Sequence, residues 1–310
     1  YVHFLKARPA EWRIPTPEEK GSMTRVVMPV VVVIFVTVFY FGSIKHVVAS
    51  NYLLQALTGQ SDISVNLEYF KRALGQNSFA DQEIREQLMQ SAIQIGSGEQ
   101  IPLEKKEDFF NLARAEMTKQ IERSPNDARL YVFQGSFLRL FGQNKEAIEV
   151  LNRAHELSPG KQSILFELAF VYLTEEDPAK ALEYAKQAFE ANKEFDTARI
   201  TYAVIALYSG DAILATNLLM ERFNSVAVDN DMLMQAYYDT KNFGVVLEIW
   251  KKRVEADQGN ARKWLSLASA FFSAGDRQGA LEALGEAVRL DPNLQDEAQT
   301  YMNEIQGVGS

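Results

Sequence analysis

The sequence predicts an all-α protein built from stacked pairs of antiparallel helices, preceded by one long apolar helix. Pro125 and Pro159 lie 34 residues apart and enclose small and aromatic residues at helical spacing, and related patterns recur up to residue 292. Residues 26–44, VVMPVVVVIFVTVFYFGSI, are 19 residues without a charge. A repeat of this length forms one helix pair that cannot bury its apolar face alone, so successive pairs must stack.

The first repeat, residues 125–159, shows how each pair is built. Gly135 is small where the two helices approach most closely, and Gly142 ends the first helix because glycine takes the left-handed conformation without a clash. Ala147 and Ala154 lie seven residues apart, so they share one face of the second helix. Pro159 stops that helix and restarts the chain.

Four further copies of the pattern follow the first. They lie at residues 162–193, 196–226, 227–258 and 261–292. Two of these copies are weaker: the one at residues 196–226 is shorter by about three residues, and in the one at 227–258 Val246 and Arg253 occupy places where small alanines are usual. Residues 293–310 begin with NLQDEAQTYMNEIQ, which predicts a closing helix with a polar outer face and a short tail.

Residues 125–292 resemble the tetratricopeptide repeat family in the spacing of these small, aromatic and proline residues. The resemblance implies a right-handed superhelical solenoid, in which the first helix of each pair lines a concave groove that binds a protein or peptide. The family's exposed positions fall on Arg129, Arg139, Phe166, Phe170, Tyr208, Tyr238 and Phe272. Ile200 and Val204 are predicted on the same groove wall. In the alternative, neighbouring helices or the closing helix cover the aromatic rings.

A membrane-spanning helix is predicted at residues 24–46. Residues 26–44 span about 28 Å at 1.5 Å per residue, which matches a hydrocarbon core of about 30 Å. Pro29 would lie in the first turn, where its missing N–H costs little. A cleaved signal peptide is the alternative, because small residues precede Ser50 as they do at cleavage sites.

The flanking charges predict the orientation of this span. Five basic residues precede the uncharged stretch at residues 26–44, whereas only Lys45 follows it closely. The five are Lys6, Arg8, Arg13, Lys20 and Arg25. The positive-inside rule then places the linker of residues 1–23 in the cytoplasm and the repeats in the periplasm or outside the cell.

Residues 47–124 are predicted to form degenerate helical repeats, with helices near 79–95 and 104–124. Because residue 1 is Tyr rather than Met, the chain is expected to be part of a longer protein. The layout, and the stretch NLEYFKRALGQNSFADQEIREQL, resemble the C-terminal part of bacterial O-antigen ligase-like membrane proteins. That resemblance would imply a glycan-transfer parent whose catalytic residues lie in other spans, so none is assigned to this chain.

Composition and motifs give no support for catalysis or nucleic-acid binding. The formal net charge is −9, and residues 59–310 alone carry −12, so the surface repels phosphate backbones. The chain has no cysteine, which excludes disulfides and thiolate chemistry. His3, His46 and His155 lie in unrelated segments without metal-ligand spacing. The sequence therefore predicts a non-enzymatic protein with no cofactor, no metal and no nucleic-acid partner.

Overall fold

The computed structural model describes residues 17–59 and 62–306, and all regular elements in these ranges are helices. The all-α prediction is thus confirmed for the described residues. The chain divides into two compact units, Tyr1–Arg123 and Ser124–Ser310. The expectations for residues 1–16 and for the tail at 307–310 lie outside the described residues.

The described part of the first unit contains five helices, and the first two are joined into one long helix. Helix α1 (Pro17–Phe39) continues through a π-helical turn (Tyr40–Ile44) into α2 (Lys45–Leu57), and α3 (Ile63–Leu74), α4 (Asp81–Ser97) and α5 (Leu103–Arg123) follow. Helix α2 packs against α3, and α4 packs against α5. The part of the long helix at residues 26–41 is exposed, whereas Ala49 and Ala56 of α2 are buried.

Two details of the predicted linker and span are wrong. Residues 17–22 are helical rather than part of a linker, and Pro29 lies inside α1 rather than in its first turn. Proline is favoured at the first position of a helix. Pro17 therefore indicated the start of a helix, which the prediction of a linker overlooked. The helix also extends past residue 46 to Leu57, because the apolar spacing continues and gives α2 a face to bury against α3.

A buried polar network joins α4 to α5. The side chain of Arg85 is 4% exposed, and its Nε donates to Glu116 Oε2 at 3.1 Å. A second donor of the same guanidinium binds Gln120 Oε1 at 2.6 Å. Burial opposes ionisation of Glu116, but hydrogen bonds from Lys119 and Arg85 outweigh it and lower the pKa of this carboxyl. The charges are therefore paired rather than isolated in the core.

The second unit consists of five helix pairs and a closing helix. The pairs are α6 (Ala128–Leu140) with α7 (Asn144–Leu157), α8 (Gln162–Thr174) with α9 (Pro178–Ala191), α10 (Asp196–Tyr208) with α11 (Ala212–Phe223), α12 (Asp231–Asp239) with α13 (Phe243–Ala256), and α14 (Ala261–Ser273) with α15 (Arg277–Leu290). A 3₁₀ turn (Pro292–Leu294) leads into α16 (Gln295–Gln306), which packs on α15.

The turns within the pairs follow one design. Gly142, Gly210 and Gly275 have φ of +70°, +82° and +84°, so glycine ends the first helix in three of the five pairs, as predicted for Gly142. Glu176 and Lys241 take the same left-handed conformation in the other two pairs, at some cost in backbone strain. In the second, third and fifth pairs an aspartate caps the helix that follows; Asp276, for example, accepts from Gly279 N at 2.9 Å.

Close packing within the first pair depends on Gly135. A Cβ atom at this position would lie 2.5 Å from Leu151 Cγ. Leu151 is fully buried, so it has no room to move away. The absence of a side chain at Gly135 therefore lets α6 and α7 pack in direct contact at this position.

Helix α10 is buried on all sides from Ala198 to Leu207. One continuous core cluster surrounds it and extends from Ala169 of α8 to Ala270 of α14. Ile200 is 7% exposed and Val204 is fully buried, so their predicted place on an open groove wall is wrong. The physical reason is that α8 and α12 both pack against α10. They cover the side of α10 that was predicted to face solvent.

Candidate functional site

The first helices of the first four pairs lie next to one another in the second unit. Helix α6 contacts α8, α8 contacts α10, and α10 contacts α12. We call the surface of these helices and α14 the first-helix face. The seven predicted groove residues all lie on these five helices, so the exposure and the contacts of each side chain can be compared.

The two predicted arginines have different surroundings. Arg129 is exposed, and its guanidinium pairs with Asp127, whose pKa it lowers chiefly by a hydrogen bond. Arg139 is only 21% exposed and donates from Nε to Glu167 Oε2 at 3.2 Å across the α6–α8 contact. The same guanidinium lies 5.7 Å from the ring centroid of Phe170. Arg139 therefore joins two repeats, whereas Arg129 pairs at the start of its own helix.

The predicted aromatic residues divide into half-buried and exposed ones. Phe166 and Phe170 of α8 are half-buried, and Phe170 packs against the core cluster around α10. Phe272 of α14 is also half-buried, whereas Tyr208 and Tyr238 are exposed. The expected continuous strip of solvent-facing rings is therefore broken by partial burial in α8.

Tyr208 links α10 to the end of α12. Its hydroxyl donates to Asp239 Oδ2 at 2.7 Å. Burial and then this hydrogen bond raise the pKa of Tyr208 to about 12, so the phenol stays protonated at neutral pH. Tyr208 thus has a structural partner, although part of its ring remains exposed.

A pocket lies at the α14 end of the first-helix face. It has a volume of about 260 Å³ and is bordered by α12, α13, α14, α15 and α16. Four aromatic rings line it, from Tyr238, Phe243, Phe272 and Tyr301, and the rings of Tyr238 and Phe243 meet edge to face at 5.4 Å. We call this cavity the aromatic pocket. It is smaller than the roughly 300–1,000 Å³ of typical sites for drug-sized ligands, so its size suits a side chain of a bound segment.

The polar rim of the aromatic pocket comes from serines and one carboxylate. Ser269 and Ser273 of α14 and Glu304 of α16 line the cavity. Phe243, Tyr301 and Glu304 were not predicted as site residues. The aromatic residue at position 301 in the closing helix was a signal that could have indicated them. The closing helix therefore borders a cavity as well as covering the end of the array.

The described residues give no arrangement that suggests catalysis or metal binding. No group of three His, Asp or Glu side chains that could hold a metal ion occurs within them. His155 packs half-buried with its ring at 6.1 Å and edge-on to Tyr184. His46 belongs to the first unit and stacks on Phe79. Both imidazoles therefore have packing roles.

Comparisons with known proteins agree with this architecture. A family model described as tetratricopeptide repeat matches residues 128–161 and 162–195, the ranges that contain α6 to α9. A tetratricopeptide repeat protein from Parabacteroides merdae ATCC 43184 has a TM-score of 0.51 and 12% identity, covering 83% of this chain and 98% of that one. At this identity the likeness shows the fold alone. A sequence comparison with curated proteins finds no match.

Two other solved structures are similar over shorter parts of the chain. PilW, described as a widely conserved type IV pilus biogenesis factor, has 15% identity and a TM-score of 0.46, with coverage of 71% and 97%. YrrB, described as a TPR protein with an unusual peptide-binding site, has 19% identity and a TM-score of 0.35, with coverage of 57% and 92%. The family match and the fold together show that this chain contains tetratricopeptide repeats.

Proposed function

We propose that this protein is a membrane-anchored scaffold that binds a segment of a partner protein on its first-helix face. The observation that supports this most directly is the aromatic pocket, where four rings converge on a cavity at the α14 end of that face. Clusters of aromatic side chains dominate the binding energy of many protein interfaces, because each ring buries a large apolar area.

The residues that line the aromatic pocket favour a partner segment in which a basic residue lies next to an apolar or aromatic one. The rings would contact the apolar part, and the carboxylate of Glu304 at the rim would attract a cation. Helix α16 also holds Asp296 and Glu297 and has no lysine or arginine, so the whole closing helix is negative. A cation near Tyr301 or Phe272 would gain further from the ring faces.

The membrane part of the proposal is supported by the long helix of the first unit. Residues Thr24–Leu57 form one helix of 34 residues that is long and apolar enough to cross a membrane. Ala49 is fully buried, and cleavage before Ser50 would remove the first turn of α2. This favours an anchor over a signal peptide. The layout resembling O-antigen ligase-like proteins stays a hypothesis about a longer parent.

A peptide selection tests the binding proposal. The full chain in detergent micelles would be used to select binders from a random peptide display library, and the affinities of the selected peptides would be measured. We expect a large apolar residue beside Lys or Arg in these peptides. Tyr238→Ala and Tyr301→Ala should each weaken binding by about 5–30-fold, the effect of losing roughly 1–2 kcal/mol at an interface hot spot.

Ile213→Ala is the matched control for these variants. Ile213 is an apolar residue of α11 that is 77% exposed, on a second helix, so its truncation should leave peptide affinity unchanged. Tyr238 and Tyr301 are 47% and 42% exposed, so their variants should keep the fold. Selected peptides that bind all three variants as tightly as the parent chain would place the binding surface elsewhere.

A further inference from the structure

We infer that the loop at residues 75–80, between α3 and α4, makes a second contact with the membrane and inserts the ring of Phe79 beside the end of the spanning helix. This inference rests on the proposed anchor. It adds that the first unit lies directly on the lipid surface, where it presents an aromatic side chain to the headgroup layer.

The position of Phe79 follows from a ring contact. Its ring stacks on His46 with centroids 4.2 Å apart and an interplanar angle of 18°. His46 lies two residues after Ile44, the last residue of the uncharged stretch, which is a rise of about 3 Å along the helix. The headgroup layer is roughly 5–7 Å thick on each side of the hydrocarbon core, so Phe79 is level with it.

The loop holds Phe79 outward rather than folding it inward. The ring is 69% exposed, although the next two residues, Ala80 and Asp81, are buried. Asp81 Oδ1 accepts from Ser78 N at 2.9 Å, and Asn77 takes a left-handed φ of +48°. These contacts fix the loop on both sides of Phe79. Phe side chains of membrane-surface segments bury at the boundary between headgroups and acyl chains, which would remove this exposed apolar ring from water.

The charges at the same level fit a lipid headgroup layer. Helix α3 runs back along α2, as two contacts show: Asn66 Nδ2 donates to Ala56 O at 2.7 Å, and the rings of Tyr69 and Tyr52 lie 6.3 Å apart. The C-terminal end of α3 therefore returns toward the first turns of α2. That last turn contains the exposed cations Lys71 and Arg72. Arg72 pairs with Glu68 of the same helix at 3.5 Å, so Lys71 is the charge that anionic headgroups would attract most directly.

The absence of cysteine from the sequence permits a direct test. Single variants Phe79→Cys, Phe35→Cys and Leu54→Cys of the full chain would be spin-labelled and reconstituted into nanodiscs of phosphatidylcholine and phosphatidylglycerol. The ratio of collision with oxygen to collision with a water-soluble nickel chelate then reports the depth of each label. Leu54 is the matched control, because it is 65% exposed and apolar but about 15 Å beyond Ile44 on the same helix.

We expect the ratio to be highest at position 35, intermediate at position 79 and lowest at position 54. A label at 79 that is as accessible to nickel as the label at 54 would overturn the inference, while a high ratio at 35 would leave the anchor intact. A low ratio at position 35 as well would show that the proposed anchor itself fails, and the inference with it.

Discussion

Gly135 and Gly285 are both glycines within helices of the second unit, but their surroundings are opposite. At Gly135 a Cβ atom would lie within 2.6 Å of two atoms of the buried Leu151. At Gly285, in α15, a Cβ atom would meet nothing within 4 Å beyond the backbone of its own helix, so the site is open. The same change to alanine should therefore have effects of opposite sign on stability.

We expect Gly135→Ala to destabilise the protein by about 1–3 kcal/mol, because the added methyl overpacks the α6–α7 contact. Gly285→Ala should stabilise it by roughly 0.5–1 kcal/mol, since alanine loses less backbone entropy in a helix. Thermal unfolding followed by circular dichroism measures both. A higher melting temperature for Gly135→Ala would contradict this packing, because it would show that a methyl group fits between α6 and α7 at position 135.

At the scale of elements, the α4–α5 pair depends on its buried ion pair. Glu116→Gln should destabilise the first unit by about 1.5–3 kcal/mol, because Arg85 would lose the carboxylate at 3.1 Å and keep only the more distant Asp81, at 3.9 Å. The pKa of Glu116 is lowered on folding, so its contribution is present above the ordinary value of 4.5 and is lost as the pH falls through the folded pKa. Hydrogen exchange of α4 and α5 at neutral and acidic pH measures both effects.

The surface pair Arg153–Glu156 of α7 is the control for this experiment. Its side chains are 47% and 64% exposed, so solvent screens the pair and Glu156→Gln should leave stability nearly unchanged. The replacement of Arg85 and Glu116 together by Met and Leu should cost less than Glu116→Gln alone, since it removes the buried guanidinium along with its carboxylate and leaves Asp81 paired with Arg123. Equal exchange rates in the parent chain and Glu116→Gln would contradict a stabilising role for the pair.

For the whole molecule, the proposed orientation makes a prediction that single cysteines can test. In bacterial cells with a permeabilised outer membrane, Glu190→Cys should react with a membrane-impermeant maleimide, whereas Gly21→Cys should react only after lysis. The reason is that basic residues concentrate before the span. Intact mass should also show residues 1–49 still attached. The reverse labelling pattern, or a mature chain that begins at Ser50, would contradict the proposed topology.

Features that depend on a residue's own backbone conformation were predicted correctly from the sequence, whereas features that depend on packing between repeats were not. Gly142 and Pro159 act through their own backbone conformations, so the spacing of such residues was enough to find the five helix pairs. Ile200 and Val204 were misplaced because their exposure depends on how closely α8 and α12 approach α10. That distance is set by packing between repeats, which the pattern of a single repeat does not contain.

The sequence by itself determined the class of this protein: an α-helical repeat array, a long apolar helix before it, and a net negative charge. Each of these follows from periodicity, composition or charge, which are properties of the chain alone. The tertiary structure decided which aromatic rings remain accessible, the participation of α16 in the aromatic pocket, and the contact of Phe79 with His46. These depend on segments distant in sequence that meet only when the helices pack, because side-chain exposure is a property of the assembled surface.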